Sequence, residues 1–177
     1  PAVTDANVRQ IRAAKRLIAR KQQQYERQEQ PFEEMVSDPV LAEYLDRATF
    51  FNKEHGVCRF TALQKLDLTR VMQKRYALLN WQQGSGKTAA VYHRAKYLLK
   101  YGKVRNAIIL APAIAVNMTW CPFLDINREP YRQVRCPADL DDVPAGAFLV
   151  ISTSLLAKLQ RSLKRFVKLR SRKLALV

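Results

Sequence analysis

Cysteine, glycine and acid are all scarce in this sequence. The three cysteines, Cys58, Cys121 and Cys136, are an odd number at irregular spacing, which argues against a secreted disulfide framework. His55 and Cys58 form one His-x-x-Cys pair with no second pair at ligand spacing, so no zinc site is expected. No apolar run approaches the roughly 18 to 20 residues of a membrane span, and the polar, basic N-terminus has no signal-peptide core. The expectation is a soluble intracellular protein, cytoplasmic in a bacterial or phage host and nuclear in a eukaryote. Pro1 fits either a trimmed initiator Met or an internal boundary. Only 15 Asp and Glu oppose 31 Lys and Arg, giving a net charge of +16 and a pI near 10.2. Such an excess selects a polyanionic partner, nucleic acid first and an anionic membrane second.

At 177 residues and 48% apolar composition, the chain can bury one sizeable core but not two. Its charge is unevenly spread, because the last 24 residues carry eight cations and no acid. From Asn7 to about Gln30 no Gly or Pro intervenes, and Val8, Ile11, Ile18, Leu17 and Tyr25 form a narrow stripe among basic residues, which predicts a helix. A second helix is expected near Ser37, with Asp38 and Pro39 as cap and first turn. These make an N-terminal helical extension, residues 1–58. From residue 59 to 177 short apolar runs alternate with helical stretches, the pattern of a parallel sheet with crossover helices. Strands are predicted at Tyr76 to Asn80, Ala107 to Ala111, Phe148 to Ser152 and Lys173 to Val177, with a weaker one near Gln133 to Arg135. Helices are predicted over Thr61 to Gln73, Lys87 to Lys100, Ile114 to Phe123 and Ser154 to Lys168, and Gly102 is expected to cap the second of these.

Chemistry concentrates in Trp81-Gln82-Gln83-Gly84-Ser85-Gly86-Lys87-Thr88, between an expected strand and an expected helix. In a phosphate-binding loop, glycines let consecutive N–H groups turn inward on an anion while the following helix adds its positive end. Lysine then reaches the β and γ phosphates, and the Thr hydroxyl ligates magnesium. Chance produces Gly-x-Gly-Lys-Ser/Thr in roughly one chain of this length in a hundred or fewer. Two of only five glycines fall in this turn. Trp81 stands where the full pattern has its first glycine, which disfavours adenylate-kinase-like and small-GTPase-like proteins.

With these residues in place, the chain resembles the first RecA-like, ATP-binding lobe of a superfamily 2 helicase or translocase, most closely the Swi/Snf-type branch. Phe60-Thr61-Ala62-Leu63-Gln64 resembles the family's upstream element, which implies that Gln64 reads the adenine edge. Ile108 to Pro112, followed by Trp120, resembles its strand-and-turn element facing the nucleic-acid backbone, and implies a role for Pro112. Here the interval from Pro112 to Trp120 is one residue longer than in the Swi/Snf pattern. Leu149 to Leu156 resembles the later turn in which a hydroxyl meets a phosphate of the tracked strand; Thr153 and Ser154 fit that role and a helix N-cap equally well. The expected fold is therefore α/β, a RecA-like P-loop sheet with flanking helices.

The resemblance further implies ATP and Mg as ligands, duplex DNA as partner and a second RecA-like lobe. Gln83, Gly84, Ser85, Gly86, Lys87 and Thr88 would bind nucleotide, with Lys87 catalytic and Thr88 on Mg. In this family the last apolar strand runs into an Asp-Glu pair that Lys173 to Val177 does not reach, so the expectation is an ATP-binding fragment, inactive alone. Asp139, Asp141 and Asp142 are no substitute, lying between Pro137 and Pro144 without a strand to deliver them. Beyond these motifs, Leu155, Leu156, Leu159, Leu163 and Phe166 recur at helical spacing among Lys158, Arg161, Lys164, Arg165 and Lys168, a basic face fit for phosphates, with Lys164 and Arg165 as candidates. The alternatives are another P-loop kinase or NTPase and a non-catalytic nucleic-acid-binding module.

Overall fold

The computed structural model describes residues 5–31, 34–36, 38–101, 104–169 and 174–176. The chain divides into two compact units, one built from the residues up to Asp46 with Thr61–Asn80, the other from Arg47–Phe60 with Trp81 onward.

Helices make the first unit. α1 (Asp5–Glu29) is uninterrupted by Gly or Pro and rich in Ala, Arg, Lys and Gln, the residues of highest helix propensity. Its side chains from residue 9 to residue 23 are all exposed. Its C-terminal end is tied to the unit: the Gln28 side-chain amide donates to the Tyr76 carbonyl, and the Lys74 ammonium donates to the carbonyls of Gln28 and Gln30. α2 (Pro39–Arg47) starts as expected, with the Asp38 carboxylate accepting from the N–H groups of Val40 and Leu41 and Pro39 at the first helical position. Leu41 and Leu45 are buried. α3 (Ala62–Val71) buries Leu68, Thr69 and Val71. The strand expected at Tyr76 to Asn80 is absent. That run pairs with no ladder, and Tyr76 and Leu78 are 65% and 89% exposed. A short apolar run becomes a strand only where a neighbour supplies hydrogen bonds, and this one has none among the described residues.

The second unit holds a four-stranded, wholly parallel sheet. Its strands are β3 (Asn106–Ala111), β4 (Tyr131–Val134), β5 (Phe148–Ser152) and β6 (Leu174–Leu176), in the spatial order β4-β5-β3-β6. Before it, β1 (Thr49–Asn52) and β2 (Gly56–Arg59) form an antiparallel hairpin that the sequence pattern did not announce. Parallel strands buried on both faces read as continuous apolar runs, and here alternate residues serve opposite layers. Ala107, Ile109, Ala111, Phe148 and Val150 meet Tyr92 and Ala95 of α4 (Lys87–Lys100) and Leu124. Ile108, Leu149, Ile151 and Val134 meet Leu159 and Phe166 of the last helix.

Between β3 and β4 runs a composite helix: α5 (Ala113–Ala115), a π turn (Val116–Trp120) and α6 (Cys121–Ile126). α7 (Leu156–Leu169) follows a 3-10 turn at Thr153–Leu155. Buried Asn106 closes the sheet's N-terminal side by donating to the carbonyls of Pro144 at 2.7 Å and Ala147 at 3.0 Å. Glu129 accepts from the Tyr92 hydroxyl and from the Lys96 ammonium, pinning α4 to the segment after α6. Gly102, Lys173 and Val177 lie outside the described residues. No described helix is long and apolar enough to cross a membrane.

Candidate functional site

α4 feeds β3 through residues 101–105 and packs along the sheet, so it runs antiparallel to the strands. Its N-terminus therefore stands at the sheet's carboxyl edge, where open α/β sheets bind ligands. There the chain curls tightly. Gly84 at φ +80° and Gly86 at φ +81° are both left-handed, on either side of Ser85. Gly86 ends the curl as the N-cap of α4. The Gln82 carbonyl is the hub, accepting from the Ser85 N–H at 3.3 Å and the Ser85 hydroxyl at 2.5 Å. Lys87, the first residue of α4, turns back over the curl and donates to the carbonyls of Trp81 at 2.7 Å and Gln82 at 2.8 Å. Gln83 and Gly84 are exposed, Ser85, Gly86, Lys87 and Thr88 are half-buried, and Ala89 and Ala90 enter the core. The segment from Gly84 to Thr88 thus leads from the exposed surface into the core at the start of α4.

Thr88 is half-buried at the second position of α4. No cluster of three His, Cys, Asp or Glu able to hold a metal ion occurs among the described residues.

Two other expected site residues leave the same sheet edge. Ala111 and Ser152 are register partners at the ends of β3 and β5, so Pro112 and Thr153 emerge side by side. Both are exposed. Ser152 and Ser154 share a hydroxyl–hydroxyl hydrogen bond of 2.7 Å across the same turn. After Pro112 the chain reaches Trp120 through the π turn. Trp120 is half-buried, edge-on to Phe123 with ring centroids 6.5 Å apart, so it belongs to the core. Asn117 is exposed and accepts from the Gln133 side chain.

Lys164 and Arg165 are exposed on α7, as expected of a basic face. Lys164 also borders a shallow apolar groove with Leu156, Leu163 and Val167. Asp139 is committed to structure: its carboxylate accepts from the N–H groups of Arg135 at 2.8 Å and Cys136 at 2.9 Å, bonds that hold its pKa below the usual carboxylate range.

Gln64 belongs to the first unit and the loop to the second. Its side chain completes a capping box: the Thr61 hydroxyl accepts from the Gln64 N–H at 3.3 Å, and the Gln64 amide oxygen accepts from the Thr61 N–H at 2.8 Å. The spacing Thr61-x-x-Gln64 is the sequence signature of that box. One of the two lone pairs of that amide oxygen is thus committed at the start of α3. Comparison with protein-family models, with curated proteins and with solved structures found no match for this chain.

Proposed function

We propose that the curl from Gln83 to Thr88 holds the phosphates of ATP, and that the chain is the ATP-binding part of a superfamily 2, Swi/Snf-like motor on duplex DNA. The observation that carries this reading is the pair of left-handed glycines flanking Ser85 with Lys87 as the first residue of a 14-residue helix. Amides of that curl and the positive end of α4 supply dipoles that need no rearrangement when the anion arrives. Lys87 supplies the charge: its ammonium exchanges two carbonyl partners for phosphate oxygens, and the hub carbonyl of Gln82 keeps its bonds to Ser85. Thr88 would hold magnesium, which neutralises phosphate charge when bound. Water activation is assigned to no residue of this chain, since no carboxylate follows an apolar strand to the loop. The net charge of +16 and the exposed cations of α7 support nucleic acid as the track. Duplex DNA rests on the family resemblance alone.

Calorimetric titration of the chain with Mg-ATP tests the reading. Lys87→Ala should weaken binding by about 2 to 5 kcal/mol, because it removes the charged partner of a desolvated anion. That is roughly thirtyfold to several thousandfold in Kd. Equal affinity in the variant and the parent refutes the assignment. Duplex DNA that tightens nucleotide binding separates a motor from a small-molecule kinase, since coupling between two ligands is reciprocal.

A further inference from the structure

The loop reading leaves α1 without a role, and α1 is exposed over residues 9 to 23. No acid occurs from residue 6 to residue 25, while Arg9, Arg12, Lys15, Arg16, Arg20 and Lys21 do. At 3.6 residues per turn, Arg9, Arg12, Arg16 and Arg20 fall within an arc of about 80° and form one row about 16 Å long. All four are exposed, and among the described residues none pairs with an acid. Ile11, Ile18 and Tyr25 lie on nearly the opposite side of the helix, about 160° away, and are 52%, 55% and 68% exposed.

We propose that α1 is a nucleic-acid-binding helix whose arginine row tracks the phosphates of one strand, a surface separate from the loop and independent of the nucleotide reading. Charge complementarity selects the occupant. Four guanidiniums in line match the repeating charge of a phosphodiester backbone, and arginine presents a planar fork to phosphate oxygens that lysine lacks. A lone helix exposed around its whole circumference over more than three turns is also the element that a major groove about 12 Å wide admits. An anionic membrane fits less well. An interfacial helix keeps its cations beside the apolar stripe so that they reach headgroups while the stripe inserts; here only Lys15 and Lys21 flank the stripe of Ile11, Ile18 and Tyr25, and its insertion points the row of four arginines away from the lipid.

The test measures anisotropy of a labelled, mixed-sequence DNA duplex about two helical turns long, titrated with the 177-residue chain across a salt series and without nucleotide. Arg→Gln at positions 9, 12, 16 and 20 together should lower the slope of log K against log salt by about 3 to 4, since each lost phosphate contact removes about 0.9. A charge-matched control, Gln at Lys53, Arg59, Arg105 and Arg128, should leave most of the slope in place. An unchanged slope in the arginine variant overturns the proposal, and so does an equal fall in the control, which reports net charge alone. Amide exchange of the unmutated chain decides the matter should the variant lose helix: the duplex must slow exchange between residues 9 and 23, and no slowing there overturns the proposal. Tighter binding to phosphatidylserine-containing vesicles than to the duplex, lost in the arginine variant, also overturns it in favour of a membrane.

Discussion

His93 makes the stability of the second unit depend on pH. It sits on the inner side of α4, 2% exposed, with ring centroids 5.2 Å from Phe60, 6.1 Å from Phe50 and 4.8 Å from Tyr92. Burial, with the Lys96 ammonium as a second cause, lowers its pKa from 6.5 to about 4; a hydrogen bond with the Thr49 backbone works in the opposite direction. Glu129, paired with Lys96, is the nearby countercharge. The unfolded ring takes a proton below about pH 6.5 and the folded ring only below about pH 4, so between these values the unfolded state binds more protons. Stability is full above 6.5 and declines as the pH falls through that window. From pH 7.5 to pH 5 the loss assigned to this group is about 2 kcal/mol. Urea unfolding reads it cleanly, because Trp81 and Trp120, the only tryptophans, both lie in the second unit and report on it alone. With m of about 1 to 3 kcal/mol/M, the midpoint should move by about 1 M. His93→Phe keeps an aromatic ring among the others and removes the titration. It should cost about 1 kcal/mol at pH 7.5 through the lost Thr49 bond while flattening the profile from pH 7.5 to 5. Parallel profiles for parent and variant refute a neutral buried imidazole.

Gly84→Ala tests backbone strain without steric conflict, since an added Cβ meets nothing within 4 Å while φ stays at +80°. It should cost about 1 to 2 kcal/mol in loop formation, read as weaker nucleotide binding, and Gly84→Asn should cost less because Asn tolerates that conformation. Thr61→Ala should destabilise the start of α3 by about 1 kcal/mol, visible as faster amide exchange there. Gln64→Glu preserves the capping box but removes the amide donor, so stability should hold; a loss of preference for ATP over GTP in that variant identifies Gln64 as the base reader, and an unchanged preference leaves it a cap. Asn106→Ala strips the donors from the carbonyls of Pro144 and Ala147 and should destabilise the second unit by about 2 to 4 kcal/mol in urea unfolding.

The elements legible in the sequence are those whose pattern is fixed by burial. β3 and β5 are buried on both faces and read as unbroken apolar runs, and α4 carries its core residues at helical spacing beside a glycine cap. Pro39 and Asp38 announce α2 through cap chemistry, which is local and survives any tertiary context. What eluded the pattern depends on which segments find a partner. Tyr76 to Asn80 is an apolar run with no neighbour to pair with among the described residues, whereas Thr49–Asn52 and Gly56–Arg59, with strand-favouring Thr, Phe and Val, pair with each other. Their hairpin has a readable turn: Asn52 accepts from the Glu54 N–H at 2.8 Å, and Gly56 is left-handed at φ +69°. Around the candidate loop the glycine spacing was sufficient to foresee the curl, but not that Lys87 turns back onto Trp81 and Gln82. Nor could residue spacing alone assign the Gln64 side chain to Thr61, although the capping-box signature stands in the same five residues.

Two kinds of anion recognition can be distinguished by their physics. On the proposed reading the loop's amides and one lysine would meet a small ligand, so few counterions would be displaced and added salt would have little leverage. Along α1 and on α7 the cations stand on exposed side chains, whose attraction for a polyanion would be screened within about 10 Å at 0.1 M salt. α1, exposed over residues 9 to 23, belongs to the first compact unit, whereas the two left-handed glycines and α7 belong to the second. For the proposed motor, coupling between nucleotide and nucleic acid would require that each bind alternative arrangements of the protein with different affinity.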